Sequence, residues 1–265
     1  MASPPRKLTR ERLRQYLERL GFTKPPAPDE RGLRALHRAH LRAVPFENLD
    51  IHLGRSIRLD HDRLMVKLLD QNRGGYCYEL NGAFGSLLAS LGFDVAILEA
   101  RVFSGDALGI RFDHACLKVD LADQWLADVG FGASFEHPLL LTTGLDQADP
   151  AGIYRVRSRE DGALDVEENS TPRFRLSLTP RELNEFAEAN LFQQSSPKSH
   201  FTHNTVCSLA TERGRVTVRG RRLIETVEGK RNETELSADE LGPVLADRFG
   251  IVLSGEELGR LSQKN

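Results

Sequence analysis

The spacing of the apolar residues changes near residue 93 of this 265-residue chain. Before that point apolar side chains recur every three or four residues, which is the period of an amphipathic helix. After it, short segments alternate between apolar and polar residues, as in a strand with one buried face. Helical patterns return after residue 178. Helices followed by strands and then a mixed carboxyl-terminal part predict an α+β fold rather than alternating βα units.

Residues that begin helices stand at three places along the chain. Thr9 is a capping residue before an amphipathic segment. Thr179 with Pro180 has the order of a cap and a first helical residue, and Ser237 with Glu240 has the spacing of a capping box. We therefore expect helices to begin at these three places.

A further helix is predicted from Leu33 to Val44, and it holds two of the eight histidines, His37 and His40. Neither histidine has a carboxylate or a cysteine at the spacing that metal ligands require. We interpret both as packing residues at an interface between helices.

The segment "RGGYCYELNG" places one of the three cysteines, Cys77, at the start of another predicted helix. Five apolar residues form one face of that helix: Leu80, Phe84, Leu87, Leu88 and Leu91. A cysteine at a helix amino terminus lies near the positive end of the helix dipole, which favours its thiolate. Gly74 and Gly75 allow a tight turn just before it. These features predict a nucleophile rather than a core thiol, the usual state of a lone cysteine.

A nucleophilic thiolate works with a histidine that shares its proton and a carboxylate that orients the histidine. His114 begins the segment "HACLKVDL", on its less apolar face, and Asp128 follows in "WLADVGFG". A hairpin that turns near residue 121 would place these two side chains opposite each other. A register shifted by one or two residues would bring Val129 or Gly130 opposite His114 instead. The alternative role for Asp128 is an ordinary aspartate in a turn or at a strand end.

Composition argues against several classes of protein. The chain has 36 Lys and Arg against 38 Asp and Glu, so a nucleic-acid partner is not expected. The basic segment "RGRVTVRGRR" alternates with apolar residues and is interpreted as a solvated strand face. No apolar segment is as long as the apolar part of a signal peptide at the amino terminus or as a membrane span elsewhere. We therefore expect a cytoplasmic protein without a membrane partner. Three scattered cysteines predict neither a disulfide framework nor a metal site.

Four motifs occur in order along the chain: "VPFENL" at 44–49, "RGGYCYELNG", the strand that begins at His114, and "DVGFG" at 128–132. Together they resemble the arylamine N-acetyltransferases. The segments "YLERLGF" and "RFGIVL" extend this resemblance over essentially the whole chain. It implies an amino-terminal helical bundle, a central antiparallel β-barrel and a carboxyl-terminal α/β lid around a cysteine-protease-like core. The three parts would cover residues 1–93, 94–200 and 201–265.

The resemblance also implies a catalytic triad. Cys77 would be the nucleophile, His114 its proton partner and Asp128 the carboxylate that orients the imidazole. Acetyl-CoA would donate an acetyl group to Cys77, and a small arylamine or arylhydrazine would accept it from the thioester in a ping-pong reaction. The resemblance implies no metal and no cofactor beyond acetyl-CoA, and no pattern in the chain sets an oligomeric state.

Further residues take their expected roles from the same resemblance. Glu47 and Arg73 would be charge partners that brace the catalytic loop. Three phenylalanines would wall the substrate cleft, with an ordinary core position as the alternative for each: Phe46, Phe131 and Phe201. Five residues are expected to contact CoA: Gly130, Phe131, Gly132, Thr202 and His203. The polar stretch at 195–204 and the two tyrosines that flank Cys77 depart from the family pattern and bear on the choice of acceptor.

Three other functions use similar residues. An amide synthase of the same family would act on a carrier-protein or polyketide thioester with the same triad. A papain-like or transglutaminase-like hydrolase also suits the order Cys, His, Asp, but the "VPFENL" and "DVGFG" motifs argue against it. A binding protein with an inactive triad is disfavoured because all three residues are present.

Overall fold

The structure is a computed structural model that describes residues 3–263. Within this range the chain forms eight α-helices: α1 (Arg10–Arg19), α2 (Glu30–Ala43), α3 (Leu49–Leu53), α4 (His61–Met65), α5 (Cys77–Leu91), α6 (Ala187–Ser195), α7 (Ala238–Phe249) and α8 (Gly255–Gln263). Three single turns of other helix types accompany them: a π turn at Val66–Asp70 and 3₁₀ turns at Leu183–Phe186 and His200–Thr202. None of the helices in residues 3–263 is both long and apolar enough to cross a membrane.

Fourteen strands lie in the same part of the chain: β1 (Phe46–Glu47), β2 (Asp94–Ser104), β3 (Ala107–Leu108), β4 (His114–Asp120), β5 (Gln124–Ala127), β6 (Leu139–Leu140), β7 (Asp146–Asp149), β8 (Gly152–Ser158), β9 (Leu164–Glu168), β10 (Thr171–Arg181), β11 (Val206–Thr211), β12 (Gly214–Arg219), β13 (Arg222–Val227) and β14 (Lys230–Glu235). The predicted α+β order is confirmed, since helices come first, strands follow and helices return at the end.

The predicted helix starts are confirmed at two of the three places. The Thr9 hydroxyl accepts the Arg12 N–H at 3.2 Å, and the Ser237 N–H donates to the Glu240 carboxylate at 2.8 Å. The prediction at Thr179 and Pro180 is wrong, because both residues belong to β10. Pairing between β10 and β2 resumes there after a bulge, with Pro180 opposite Leu98. Strand pairing has therefore overridden a local capping signal.

Helix α5 is the central element of the helical part. Every residue from Cys77 to Ala89 is buried, so the helix is enclosed on all sides and not only along the predicted apolar face. It shares one hydrophobic core with residues of α2 and with the α5-facing sides of β2 and β4, among them Leu36, Ile97 and Leu117. Its first residue, Cys77, is therefore fixed in place by the packing of the whole helix.

The central sheet is antiparallel and has the order β6-β5-β4-β2-β10-β9-β8-β7, with β3 paired to β2. Its end strands are joined by the Gln147 side chain of β7, which exchanges hydrogen bonds with the backbone of Leu140 on β6 at 2.7 and 3.0 Å. The sheet is thus a nearly closed barrel with its own core, which includes Cys116, Phe135 and Phe174. Strand β4 buries both faces, one against α5 and one inside the barrel.

A second antiparallel sheet has the order β1-β11-β12-β13-β14. Strand β1 comes from the "VPFENL" motif, and it pairs Phe46 with Ser208 and Glu47 with Cys207. The "VPFENL" motif therefore connects the helical part to the carboxyl-terminal part. Helices α7 and α8 pack with this sheet around a third core. The residue boundaries of the three parts stay a prediction.

Candidate active site

The turn before Cys77 is built by close contact between two of the predicted motifs. The Glu47 N–H donates to the Gly75 carbonyl at 2.8 Å, and the Gly75 N–H donates to the Pro45 carbonyl at 3.3 Å. A Cβ atom on Gly74 would lie 1.8 Å from the Pro45 oxygen, so no larger residue fits there. At the start of α5 the Tyr76 N–H donates to the Glu79 carboxylate at 3.2 Å. Sequence therefore sets a rigid turn that presents Cys77 at a helix amino terminus.

The structure brings Cys77, His114 and Asp128 together. His114 Nε2 lies 2.6 Å from Asp128 Oδ2, and Cys77 lines the same cavity as the imidazole and acts on its pKa. Since Nε2 faces the carboxylate, Nδ1 is the ring nitrogen left for the sulfur. All three residues are at most 3% exposed. This is the arrangement in which a carboxylate orients an imidazole beside a nucleophile.

The imidazole of His114 is positively charged at neutral pH. Burial lowers its pKa, but the Asp128 carboxylate and Cys77 act in the opposite direction and prevail, so the pKa rises from 6.5 to about 10. A neighbouring imidazolium is the kind of group that stabilises a thiolate. The site therefore places a cysteine beside a charged imidazole that can donate a proton.

The hairpin has the alternative register, shifted by two residues from the one that would place Asp128 opposite His114. Strands β4 and β5 pair Leu117 with Ala127, which would bring position 130 opposite His114. Asp128 instead lies just past the end of β5 and reaches His114 diagonally. Diagonal neighbours on antiparallel strands remain within reach of long side chains, so the contact survives the shift.

Asn81 holds Asp128 and was not identified from the sequence. Its Nδ2 donates to Asp128 Oδ1 at 2.8 Å and to the Ala115 carbonyl at 2.7 Å, and its Oδ1 accepts the Val129 N–H at 3.0 Å. The Gly130 N–H donates to the same Asp128 oxygen at 2.9 Å. One signal for Asn81 was available, because it follows Cys77 by one helical turn on the same face of α5.

The two histidines of α2 play different parts. His40 Nε2 lies 2.8 Å from the Tyr16 hydroxyl of α1, so its predicted place between helices is confirmed. His37 reaches into the barrel instead, where Nδ1 donates to the Glu136 carbonyl at 2.9 Å and Nε2 accepts the Asp128 N–H at 3.1 Å. Burial lowers the pKa of His37 to about 4, so this ring is neutral. His37 therefore supports the backbone that carries Asp128.

A cavity of about 140 Å³ lies beside Cys77 and His114, which both line it. All three predicted wall residues line it as well: Phe46, Phe131 and Phe201. Gly130 and four residues that the sequence did not single out complete the lining: Val102, Asp113, Gln193 and His200. A larger cavity, of about 680 Å³, lies elsewhere and contains no member of the triad, so we take the smaller one as the candidate site.

The five residues predicted to contact CoA divide into two groups. Gly130 and Phe131 line the cavity. Gly132 has a positive φ of 88° and lies against the Phe46 ring, just outside it. The Thr202 hydroxyl donates to carbonyls of its own loop, and His203 is exposed to solvent. Thr202 and His203 do not line the cavity, although the preceding Phe201 does.

Glu47 and Arg73 belong to a buried charge network, which is larger than predicted. Arg73 donates to the Glu47 carboxylate at 3.0 Å and to Asp50 at 3.0 Å, and Lys67 contacts Asp50 at 2.9 Å and Glu79 at 2.8 Å. Burial raises the pKa of Glu79 to about 7, against the opposing effect of Lys67. Because Glu79 also accepts the Tyr76 N–H, this network is anchored to the turn that presents Cys77.

The other two cysteines lie in cores. Cys116 is inside the barrel and Cys207 is in the third core, and burial raises the pKa of each thiol. Neither therefore resembles a nucleophile. In the described part of the chain, no group of three or more His, Cys, Asp or Glu residues is arranged to hold a metal ion.

Known proteins are similar to this chain in both sequence and fold. A family model described as N-acetyltransferase matches residues 31–258. The arylamine N-acetyltransferase of Mycolicibacterium smegmatis is 35% identical over 257 residues, which span 92% of this chain and 93% of that protein. The solved arylamine N-acetyltransferase from Salmonella typhimurium superposes with a TM-score of 0.90 at 30% identity, covering 97% of this chain and 99% of that one. The Mycobacterium marinum arylamine N-acetyltransferase in complex with CoA gives 0.87 at 31% identity, covering 95% and 99%. The chain therefore belongs to the arylamine N-acetyltransferase family of acyltransferases.

Proposed function

We propose that this protein transfers an acetyl group from acetyl-CoA to small arylamines and arylhydrazines through a thioester on Cys77. The observation that carries the proposal is the contact of Cys77, His114 and Asp128 beside a cavity walled by phenylalanines. A related protein from Mycobacterium marinum has been solved with CoA, which supports the choice of donor. The cavity of about 140 Å³ is small beside typical ligand pockets, which favours acetyl over a polyketide chain.

In the first half-reaction the Cys77 thiolate attacks the thioester carbonyl of acetyl-CoA. The tetrahedral intermediate then expels CoA as a thiolate, which takes the proton from the His114 imidazolium. Acetyl-Cys77 and a neutral imidazole remain. Because one thioester replaces another, the acetyl group stays activated for the second step.

In the second half-reaction the amine attacks the acetyl carbonyl while His114 accepts a proton from the amine nitrogen. Collapse of the intermediate breaks the C–S bond and returns Cys77 to the thiolate beside a protonated imidazole. Asp128 keeps the ring oriented throughout, with Asn81 and the Gly130 N–H holding its other oxygen.

The oxyanion of each intermediate needs backbone donors. The Gly130 N–H is already bonded to Asp128, so we assign this role to the first N–H groups of α5, which have no partner within the helix. The pantetheine arm of CoA would pass Gly130, Phe131 and Gly132 and then the loop of Thr202 and His203.

The proposal is tested by the intact mass of the protein after acetyl-CoA is added without an amine. We expect one acetyl group, mapped to Cys77 and removed when an arylamine is added. Cys77→Ala should abolish both the adduct and turnover, whereas Cys116→Ala and Cys207→Ala should keep much of the activity. A reactive Cys77 that acetyl-CoA leaves unmodified would exclude acetyl-CoA as the donor.

A further inference from the structure

The carboxylate next to the catalytic histidine in sequence has no role in the mechanism above. Asp113 directly precedes His114 and lines the same cavity, where it is partly exposed. Its Oδ1 accepts the Gln193 side-chain N–H at 2.7 Å, and its Oδ2 accepts the Val102 backbone N–H at 3.3 Å. These contacts fix a carboxylate in the wall of the cleft.

This carboxylate has no lysine or arginine partner among the ion pairs of residues 3–263. Burial raises its pKa, against the combined effect of its hydrogen bonds and of His114 and His200. The pKa of His200 is itself lowered, mainly by burial. The charge on His114 is already shared with Asp128 and Cys77. Among the described residues, the polar end of the cleft therefore holds an aspartate side chain without a lysine or arginine ion-pair partner.

The size of the cleft brings any acceptor close to the Asp113 side chain. A cavity of about 140 Å³ is comparable to one that holds a single benzene ring. Phe46 and Phe201 lie with ring centroids 6.1 Å apart, and Phe131 is 5.2 Å from the His114 ring, so the apolar walls enclose a small space. An arylamine whose nitrogen reaches Cys77 must place its ring substituents near the polar wall made by Asp113, Gln193 and His200.

We infer that Asp113 sets acceptor specificity, so that the enzyme favours arylamines with a cationic or hydrogen-bond-donating ring substituent and disfavours anionic arylamines. A donor or a cation would complete the coordination of the carboxylate oxygens, whereas an acceptor carboxylate would be held against a like charge in a desolvated site. This inference rests on the proposed function, since it concerns the acceptor half of the reaction. It makes Asp113 a specificity residue.

The test compares three acceptors of similar shape: 4-aminobenzoate, 4-aminobenzamide and 4-aminobenzylamine. The measured quantity is kcat/KM for each acceptor at saturating acetyl-CoA. In the wild type we expect the neutral and cationic acceptors to exceed the anion by about tenfold or more, the effect of one like-charge contact in a partly buried site. Asp113→Asn removes the charge and keeps an oxygen for Gln193, and it should shift the ratio of amide to carboxylate acceptor by about tenfold toward the anion.

The ratio of two acceptors in one protein cancels any general loss of activity, and comparing that ratio between wild type and variant cancels the intrinsic reactivity of the amines. Asp113→Glu keeps the charge and should keep the discrimination. Asp106→Asn is the matched control, because Asp106 is exposed in the turn between β2 and β3 and changes the net charge equally. It should leave the ratio at the wild-type value.

Two results would overturn the inference: a wild type that uses the anion as well as the amide, or an Asp113→Asn variant whose ratio equals that of the wild type. The first of these needs no variant, so it decides even if Asp113→Asn fails to fold. Failure of the proposed function looks different, since Cys77 would then not be acetylated by acetyl-CoA before any acceptor is added.

Discussion

At the scale of single residues, the site depends on a charge that burial alone would remove. His114 is enclosed, and its positive form is stable only because Asp128 lies 2.6 Å away and Cys77 adjoins it. The same carboxylate is fixed by Asn81 and by the Gly130 N–H, so it can keep one geometry through both of the proposed half-reactions. Orientation and charge are therefore supplied by one hydrogen-bonded unit.

This arrangement predicts an unusual titration. We expect the His114 ring, followed by NMR of ¹³C-labelled histidine, to lose its proton near pH 10. In Asp128→Asn the opposing effect of burial remains while the carboxylate charge is gone, so the midpoint should fall to 6.5 or below. His114→Gln assigns the signal by its disappearance. A wild-type midpoint near 6.5 would contradict the charged form.

The sign of the stability effect follows from the same shift. The folded pKa of His114 lies above the unfolded value of 6.5, so the stabilisation from its proton is complete below pH 6.5. It is lost as the pH rises from 6.5 through about 10. The advantage of the wild type over Asp128→Asn in free energy of unfolding should therefore shrink over that range.

At the scale of elements, the site is a contact between the start of α5 and the turn that follows β5. A Cβ atom on Gly130 would lie 2.6 Å from the Cys77 Cα and 2.7 Å from Asn81 Nδ2. Glycine is required there by the close approach of two backbones. The distance between Cys77 and the Asp128 carboxylate is thus set by the packing of α5 against the turn that follows β5.

Gly130→Ala should push these two elements apart. We expect acetylation of Cys77 to slow by about a hundredfold, the effect of a displacement of about 1 Å at a reacting group, together with a lower melting temperature. The matched control is Gly259→Ala in α8, where a Cβ would meet nothing within 4 Å. That change should be neutral or stabilise the protein by about 0.5–1 kcal/mol, since alanine is the better helix former. Equal losses in both variants would refute the argument.

Sequence patterns predicted some element boundaries and not others. The start of α5 at Cys77 was predictable because a tight turn and an apolar face both point to it. The ends of β10 were not, because the Thr179 and Pro180 signal is local whereas pairing with β2 is set by distant residues. The β4–β5 register was left open between three alternatives for a similar reason, since alternation fixes the face of a strand and not its partner. Asn81 was not identified because its one signal, a place one helical turn after Cys77, does not indicate which side chain its amide binds.

At the scale of the whole molecule, buried histidines join parts of the chain that are far apart in sequence. His40 links α2 to α1 through Tyr16, and His37 links α2 to the barrel through Asp128 and Glu136. Burial lowers the pKa of both rings, so both are neutral in the folded protein. Protonation of either ring would place a cation in a core. We therefore expect acid to weaken the contacts that His37 and His40 make between the parts.

His37 gives this sensitivity a direction and a size. Its folded pKa of about 4 lies below the unfolded value of 6.5, so the unfolded chain binds more protons between these values. The stabilisation is present above pH 6.5 and is lost as the pH falls toward 4, to an extent of about 3 kcal/mol. Urea unfolding at several pH values should show this loss. In His37→Gln, whose amide does not titrate, the loss between pH 7 and 4 should be smaller by most of that amount.

The control for this measurement is His203→Gln, because His203 is exposed and its substitution should leave the acid dependence unchanged. If His37→Gln kept the full acid dependence of the wild type, the destabilising protonation would have to lie at another buried group, of which His40 is the first candidate. If it removed the dependence, the same experiment at neutral pH would measure what the bonds to Asp128 and Glu136 contribute. We would then expect His37→Gln to slow the acetylation of Cys77 as well as to lower stability. His37 holds the backbone of Asp128, and the helical part and the barrel meet at Cys77, His114 and Asp128.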